Sequence, residues 1–299
     1  MHELLNIAPE VDNAIRNHRP VVALESTVIA HGLPRPNNLE TAHRMQQIVR
    51  DAGATPATIA IIDGRLCVGL SDDQLSALAN NSDVWKISIR DLAPVIAQNR
   101  IGATTVAATV WIAHRAGIKV FATGGIGGVH RGSLPDVSAD LPELARTPMI
   151  VVCSGAKIVL DLPATREWLE THAVTVLGYQ CDELPAFYSR KSGLLIDARV
   201  DSAEDVARIY SAQRTLGIES ALLVVVPVPE KFEVPAEELQ VVLTTALEDA
   251  EWKGITGAAL TPFLLGQMAE RSGGATLRAN IALLENNARV AAEIARAVG

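Results

Sequence analysis

Short apolar runs rich in Val, Ile and Leu alternate along this chain with longer stretches of helical periodicity, and that alternation restricts the fold more than any other feature. The periodicity predicts strands over residues 21–24, 57–62, 65–68, 84–87, 119–122, 149–153, 174–177, 194–196 and 222–226. It predicts helices over 38–52, 71–80, 104–116, 164–172, 202–217, 236–252 and 257–272, and a last long one from about 277 to 297. Strand–helix alternation of this kind implies an α/β layered fold. Ile62-Asp63-Gly64-Arg65 joins two strand runs through Asp-Gly, a hairpin signal, so the sheet is expected to be mixed. There is no linker, repeat or low-complexity segment, and one domain over residues 1–299 is expected.

Several partner classes fall away on composition. Of 299 residues 48% are hydrophobic, enough for a substantial core, and the formal charge of -8 argues against a nucleic-acid polymer or an anionic membrane as partner. A small phosphorylated substrate needs only a local cationic pocket. Cys67, Cys153 and Cys181 are far apart and lack paired spacing, which speaks against a disulfide framework or a zinc site. The first residues, 1–19, lack the apolar stretch of a signal peptide, and no run is long enough to span a bilayer. A reduced, cytoplasmic protein is expected.

The polar and glycine-rich anomalies cluster just after strand runs, where open α/β sheets bind ligands. Glu25 ends the first strand ahead of Ser26, Thr27 and His31; partial desolvation there raises a carboxyl pKa and suits a general acid, while a loop or capping carboxylate is the alternative. Lys86 and Arg90 stand at a strand end and can hold a phosphate, or form a surface ion pair with Asp91. Gly102-Ala103-Thr104-Thr105-Val106-Ala107 reads as a loop feeding a helix, either an anion or base-edge binder or an ordinary threonine cap. The run 123–132 has four glycines in five residues, at Gly124, Gly125, Gly127 and Gly128, then His130. It fits neither the dinucleotide nor the Walker A pattern, and reads as a loop lining a pocket. Asp136 and Asp140 flank Ser138 and Ala139; hard oxygens suit Mg²⁺ or Mn²⁺, with a capped turn before a short helix as the alternative. Lys157 follows an apolar strand and a small-residue turn, with residues 158–160 reading as helical. Burial and a helix N-terminus would both favour the neutral, nucleophilic amine, as an imine-forming lysine requires; a lysine reaching the surface from a helix start is the alternative. Asn280, in the last helix, can read a base edge through its amide, whereas the pair Asn286 and Asn287 reads as surface or capping residues.

Taken together, these segments resemble the pseudouridine-5′-phosphate glycosidase family, also called indigoidine synthase A-like. The resemblance rests on ALESTVIAHGLPRPNN (23–38), KISIRDL (86–92), GATTVAAT (102–109), FATGGIGGVHRG (121–132), DVSADL (136–141), VVCSGAK (151–157) and ANIALLENNA (279–288), and it runs over about residues 21–288. One departure is a short stretch between Arg131 and Asp136. The resemblance implies a three-layer α/β/α fold and a homo-oligomer, often a trimer. It also implies Glu25 as proton donor, Lys157 as the lysine bonded to ribose C1′, and Asp136 as ligand of Mn²⁺, or of another divalent ion such as Mg²⁺. Substrate-binding positions would be Lys86, Val106 and Ser138-Ala139-Asp140, with Thr105, Thr123, His130 and Asn280 as weaker matches.

That chemistry has a physical logic. A carbon-linked base has no lone pair on the leaving atom, so direct protonation and departure are closed to it. Protonation of the ring oxygen by Glu25, bonding of Lys157 to C1′ and protonation of uracil C5 open another route. It cleaves pseudouridine 5′-phosphate to uracil and ribose 5-phosphate, reversibly. A Schiff-base aldolase or lyase on another sugar phosphate, or a non-catalytic nucleotide-binding protein, are the competing readings.

Overall fold

A computed structural model of the chain describes residues 4–131, 136–255 and 260–299. The expected short stretch after Arg131 and the predicted start of a helix at 257 lie outside these residues.

In chain order the strands are β1 (Leu5–Ile7), β2 (Val21–Leu24), β3 (Thr55–Ile62), β4 (Arg65–Val68), β5 (Trp85–Ile87), β6 (Gly102–Thr104), β7 (Val120–Ala122), β8 (Val129–His130), β9 (Ile150–Cys153), β10 (Leu160–Asp161), β11 (Thr175–Tyr179), β12 (Ala198–Val200) and β13 (Leu222–Val225). The α-helices are α1 (Pro9–Arg16), α2 (Asn37–Asp51), α3 (Asp72–Asn80), α4 (Leu92–Ala97), α5 (Val106–Arg115), α6 (Asp140–Leu144), α7 (Leu162–Thr171), α8 (Ala203–Thr215), α9 (Ala236–Trp252), α10 (Leu260–Arg271) and α11 (Ala275–Val298).

The main sheet runs β1-β4-β3-β2-β7-β9-β13-β11-β12, with β6 and β5 attached beside β3. From β3 through β12 along the main path, neighbouring strands are parallel. The expected mixture enters at β3, which pairs antiparallel with β4 and β6. Asp63 and Gly64 turn that hairpin with φ of 48° and 68°, which the Asp-Gly pair tolerates. Every residue of β2, β9 and β13 is buried, the signature of strands covered on both faces. Helix α11 packs on β2, β7 and β9 together with α2 and α8, while α5 also packs on β2 and on β3 and carries α6. The layers are therefore helix, sheet, helix. The three cysteines are free, and no helix among the described residues is long and apolar enough to cross a membrane.

Two readings need correction. Residues 194–196 are not a strand: Leu195 makes an isolated bridge to Glu183 and is 72% exposed, and the edge strand lies downstream at β12. Residues 102–104 are not a loop but β6, whose partners β3 and β5 compensate for a weak Gly-Ala-Thr propensity. A side chain on Gly102 would strike Ile87 on β5, so the small residue is what lets this strand approach.

Candidate active site

Parallel pairing aligns Leu24 with Ala122 and Ala122 with Val152, so the chain leaves β2, β7 and β9 at one edge of the sheet. That edge opens into a cavity of about 690 Å³, within the size of small-molecule sites. Glu25, Lys86, Thr105, Val106, His130, Asp136, Ser138, Ala139, Asp140, Lys157 and Asn280 all line it. Thr123 does not: it is wholly buried behind the wall, where its hydroxyl donates to Glu25.

Glu25 is buried at the first position after β2. Burial pushes its carboxyl above the usual carboxylate range, against the charge of Lys157 and the Thr123 hydroxyl, which pull it down. The next residue locks the backbone. The Ser26 hydroxyl donates to the Ile59 carbonyl at 2.6 Å and accepts from the Thr104 amide at 2.8 Å. The Thr104 hydroxyl reaches the same carbonyl at 2.7 Å. A carboxyl whose pKa is raised by burial and whose backbone is held in this way suits a general acid.

The glycine loop after β7 is explained by close approach; Gly124, Gly125, Gly127 and Gly128 all have negative or extended φ. A Cβ on Gly127 would strike Ser138 and Asp140, one on Gly128 would strike Thr165, and one on Gly125 would strike Phe187. This contact fixes Asp140. Its two oxygens accept from the amides of Ala107 at 2.9 Å and Gly127 at 2.8 Å, so the carboxylate ties the loop to the start of α5. Asp140 thus sits at the cavity wall with each oxygen anchored to a backbone amide. Asp136 is exposed on the cavity wall, with its carbonyl accepting from the His130 amide at 2.8 Å. Among the described residues, no cluster of three or more His, Cys, Asp or Glu can hold a metal ion. A single carboxylate still suits Mg²⁺ or Mn²⁺, which keep most of their waters.

Lys157 enters the cavity from a turn, not a helix. Residues after it form a turn and then β10, so no helix dipole acts on the amine. Its amide donates to Ile126 at 3.2 Å, which pins the lysine to the glycine loop. Gly155 carries φ of 83° and passes so close to the Pro185 carbonyl that no side chain fits. The nearby Cys153 thiol is pushed by burial to about 12 and stays protonated. Lys86, the middle residue of β5, faces the same cavity; burial, then the like charge of Lys157, lowers its pKa. It is Arg90, 87% exposed, that lies beside Asp91, at 3.6 Å. Thr105 caps α5 through its hydroxyl and also lines the cavity.

Sequence reasoning missed three contributors. Asn287 reads as a surface residue but is wholly buried, its amide donating to the Thr123 carbonyl at 2.8 Å and to the Ser154 hydroxyl at 3.1 Å. Phe187 lines the cavity with φ of 63°, unusual for an aromatic residue and invisible in sequence. Arg146 lines it too, held at 2.7 Å by the buried Glu143, which Thr147 also satisfies at 2.6 Å. Asn287→Ala would orphan buried polar groups on both the β7 and β9 loops. We expect it to lower stability by at least about 2 kcal/mol, seen as a lower urea midpoint at unchanged slope.

The indigoidine synthase A like protein family matches residues 10–297 of the chain. The chain belongs to this family. A relative from Solibacter usitatus, named pseudouridine-5′-phosphate glycosidase, is 51% identical over 293 residues, 97% of this chain and 98% of its own. One from Geobacillus kaustophilus with the same name is 49% identical over 298 residues, 99% of each chain. Among solved structures, the prealnumycin C-glycosynthase in complex with ribulose 5-phosphate superposes with a TM-score of 0.91 at 40% identity, over 99% of this chain and 97% of that one. An indigoidine synthase A-like protein of Thermotoga maritima gives 0.90 at 39% identity, over 98% and 95%. The indigoidine synthase A-like fold is thus common to all of these chains, and the motifs that carry the resemblance are the segments that build the cavity.

Proposed function

We propose that this chain is an enzyme that cleaves the carbon–carbon glycosidic bond of pseudouridine 5′-phosphate, giving uracil and ribose 5-phosphate in a reversible reaction. The observation that carries the reading is one cavity lined by both the buried Glu25 carboxyl, whose pKa burial raises, and the amine of Lys157, in a chain about half identical to proteins named for that activity. A C-glycosynthase of the same fold binds a pentose phosphate, which supports the sugar half of the substrate.

In this reading Glu25 gives its proton to the ribose ring oxygen as the C1′–O bond breaks. The Lys157 nitrogen bonds to C1′ and gives a proton to the Glu25 carboxylate, which re-forms the acid needed at uracil C5. Uracil C5 is then protonated, the C1′–C5 electron pair returns to the base, and the nitrogen lone pair forms the C1′=N imine. Water adds to the imine, and ribose 5-phosphate leaves with the amine restored. Lys86, Thr105, Val106, His130, Ser138, Ala139, Asp140 and Asn280 bind substrate around that centre. Asp136 would hold a divalent ion, Mn²⁺ or Mg²⁺, which would supply positive charge to orient the substrate or polarise an oxygen. The family resemblance further supports a single domain and a cytoplasmic homotrimer.

Purified protein mixed with pseudouridine 5′-phosphate and Mn²⁺ is expected to release uracil, followed by chromatography. Chelator should abolish release, and restored Mn²⁺ should recover it. Protein that yields no uracil with or without metal would remove this reading and leave a Schiff-base lyase or a binding protein.

A further inference from the structure

The general acid does not stand alone. Glu25 receives the Thr123 hydroxyl on one oxygen, and the Thr123 carbonyl receives the Asn287 amide at 2.8 Å. The same amide reaches the Ser154 hydroxyl at 3.1 Å, three residues ahead of Lys157. The Ser154 amide in turn donates to the Gly124 carbonyl at 2.9 Å. Thr123, Ser154 and Asn287 are each at 0% exposure, so water does not substitute for any of these bonds. None of the three lines the cavity.

We propose that Thr123 and Asn287 are positioning residues: Thr123 decides which Glu25 oxygen carries the transferable proton, and Asn287 locks the acid's loop and the lysine's loop into one register. The assignment rests on the reading of Glu25 as the acid. With one oxygen occupied by a hydroxyl donor, the proton sits on the other. The weaker expectation, that Thr123 touches substrate, gives way to this role because its hydroxyl is turned inward. The groups that act on the Glu25 charge are Lys157, Thr123, Asp140 and Lys86. Of these Thr123 is the neutral one, and its hydroxyl favours the carboxylate. Removing it therefore raises the Glu25 pKa, and a general acid then stays protonated to higher pH.

The test is Thr123→Val, which keeps the shape and loses the hydroxyl, beside Thr123→Ser, which restores it. For Thr123→Val we expect kcat to fall about tenfold or more with little change in KM, and the alkaline limb of the pH profile to move upward. Thr123→Ser should return the limb to its wild-type place. Asn287→Asp, which keeps an acceptor and loses the donor to the Thr123 carbonyl, should lower kcat as well. A Thr123→Val protein with an unmoved limb and kcat within twofold of wild type would overturn the proposal. The Glu25 carboxyl can also be titrated by ¹³C NMR without substrate, assigned against Glu25→Gln. An upward shift in Thr123→Val is expected there even if wild type releases no uracil. An identical titration in the two proteins would sink the relay by itself, so its failure is separable from failure of the functional reading.

Discussion

Lys157→Ala is expected to stop uracil release, with a loss of more than about 10³-fold, because no other amine takes over the bond to C1′. Lys86 faces the same cavity and is the obvious substitute, but it enters from β5, whereas Lys157 is pinned to the glycine loop beside Glu25. Borohydride added during turnover should leave a sugar phosphate on the peptide containing Lys157 in wild type and none in the variant. A trapped adduct on Lys86, or turnover surviving in Lys157→Ala, would overturn the covalent role. Lys157→Arg should fare no better, since a guanidinium stays charged and is no nucleophile.

Glu25→Gln should lower kcat by about 10²–10⁴-fold, the usual worth of a general acid, while the folded protein persists because glutamine still accepts the Thr123 hydroxyl. The pH profile carries a second expectation. Burial raises the Glu25 pKa above the usual carboxylate range. The acid form is therefore present below that raised value and is lost as pH climbs through it. Wild-type kcat should fall on the alkaline side of a limb that lies above the ordinary carboxylate pKa, and Glu25→Gln should lack the limb. A limb in the range of an exposed glutamate would show that Glu25 is not the group being titrated.

Glu25, the glycine loop and Lys157 were legible in sequence because their motifs follow the apolar runs of β2, β7 and β9. Val21–Leu24 and Ile150–Cys153 could only be buried strands, and the residues after them could only lie at a sheet edge. What sequence left out depends on distant pairing. Gly102–Thr104 has no strand pattern of its own and becomes one because β3 and β5 flank it. Lys157 lies ahead of residues with helical character, yet pairing of Leu160 with His130 draws them into β10 instead. Asp136 and Asp140 look alike in a string of letters; both line the cavity, and only the close passage of Gly127 anchors Asp140 to the backbone while Asp136 stays exposed. Asn287 is hidden for a related reason. The pair Asn286-Asn287 carries no sign that one member faces the sheet, and an amide in an apolar helix face is legible only once the loops it satisfies are in place.

The last helix also couples the two halves of the site. Glu25 follows β2 and Lys157 follows β9, while Asn280 and Asn287 both stand on α11, which packs across β2, β7 and β9. One helix therefore supplies both a wall of the cavity, through Asn280, and the buried brace beneath the acid, through Asn287. A shift of α11 along the sheet would disturb the pocket wall and the support of the acid together.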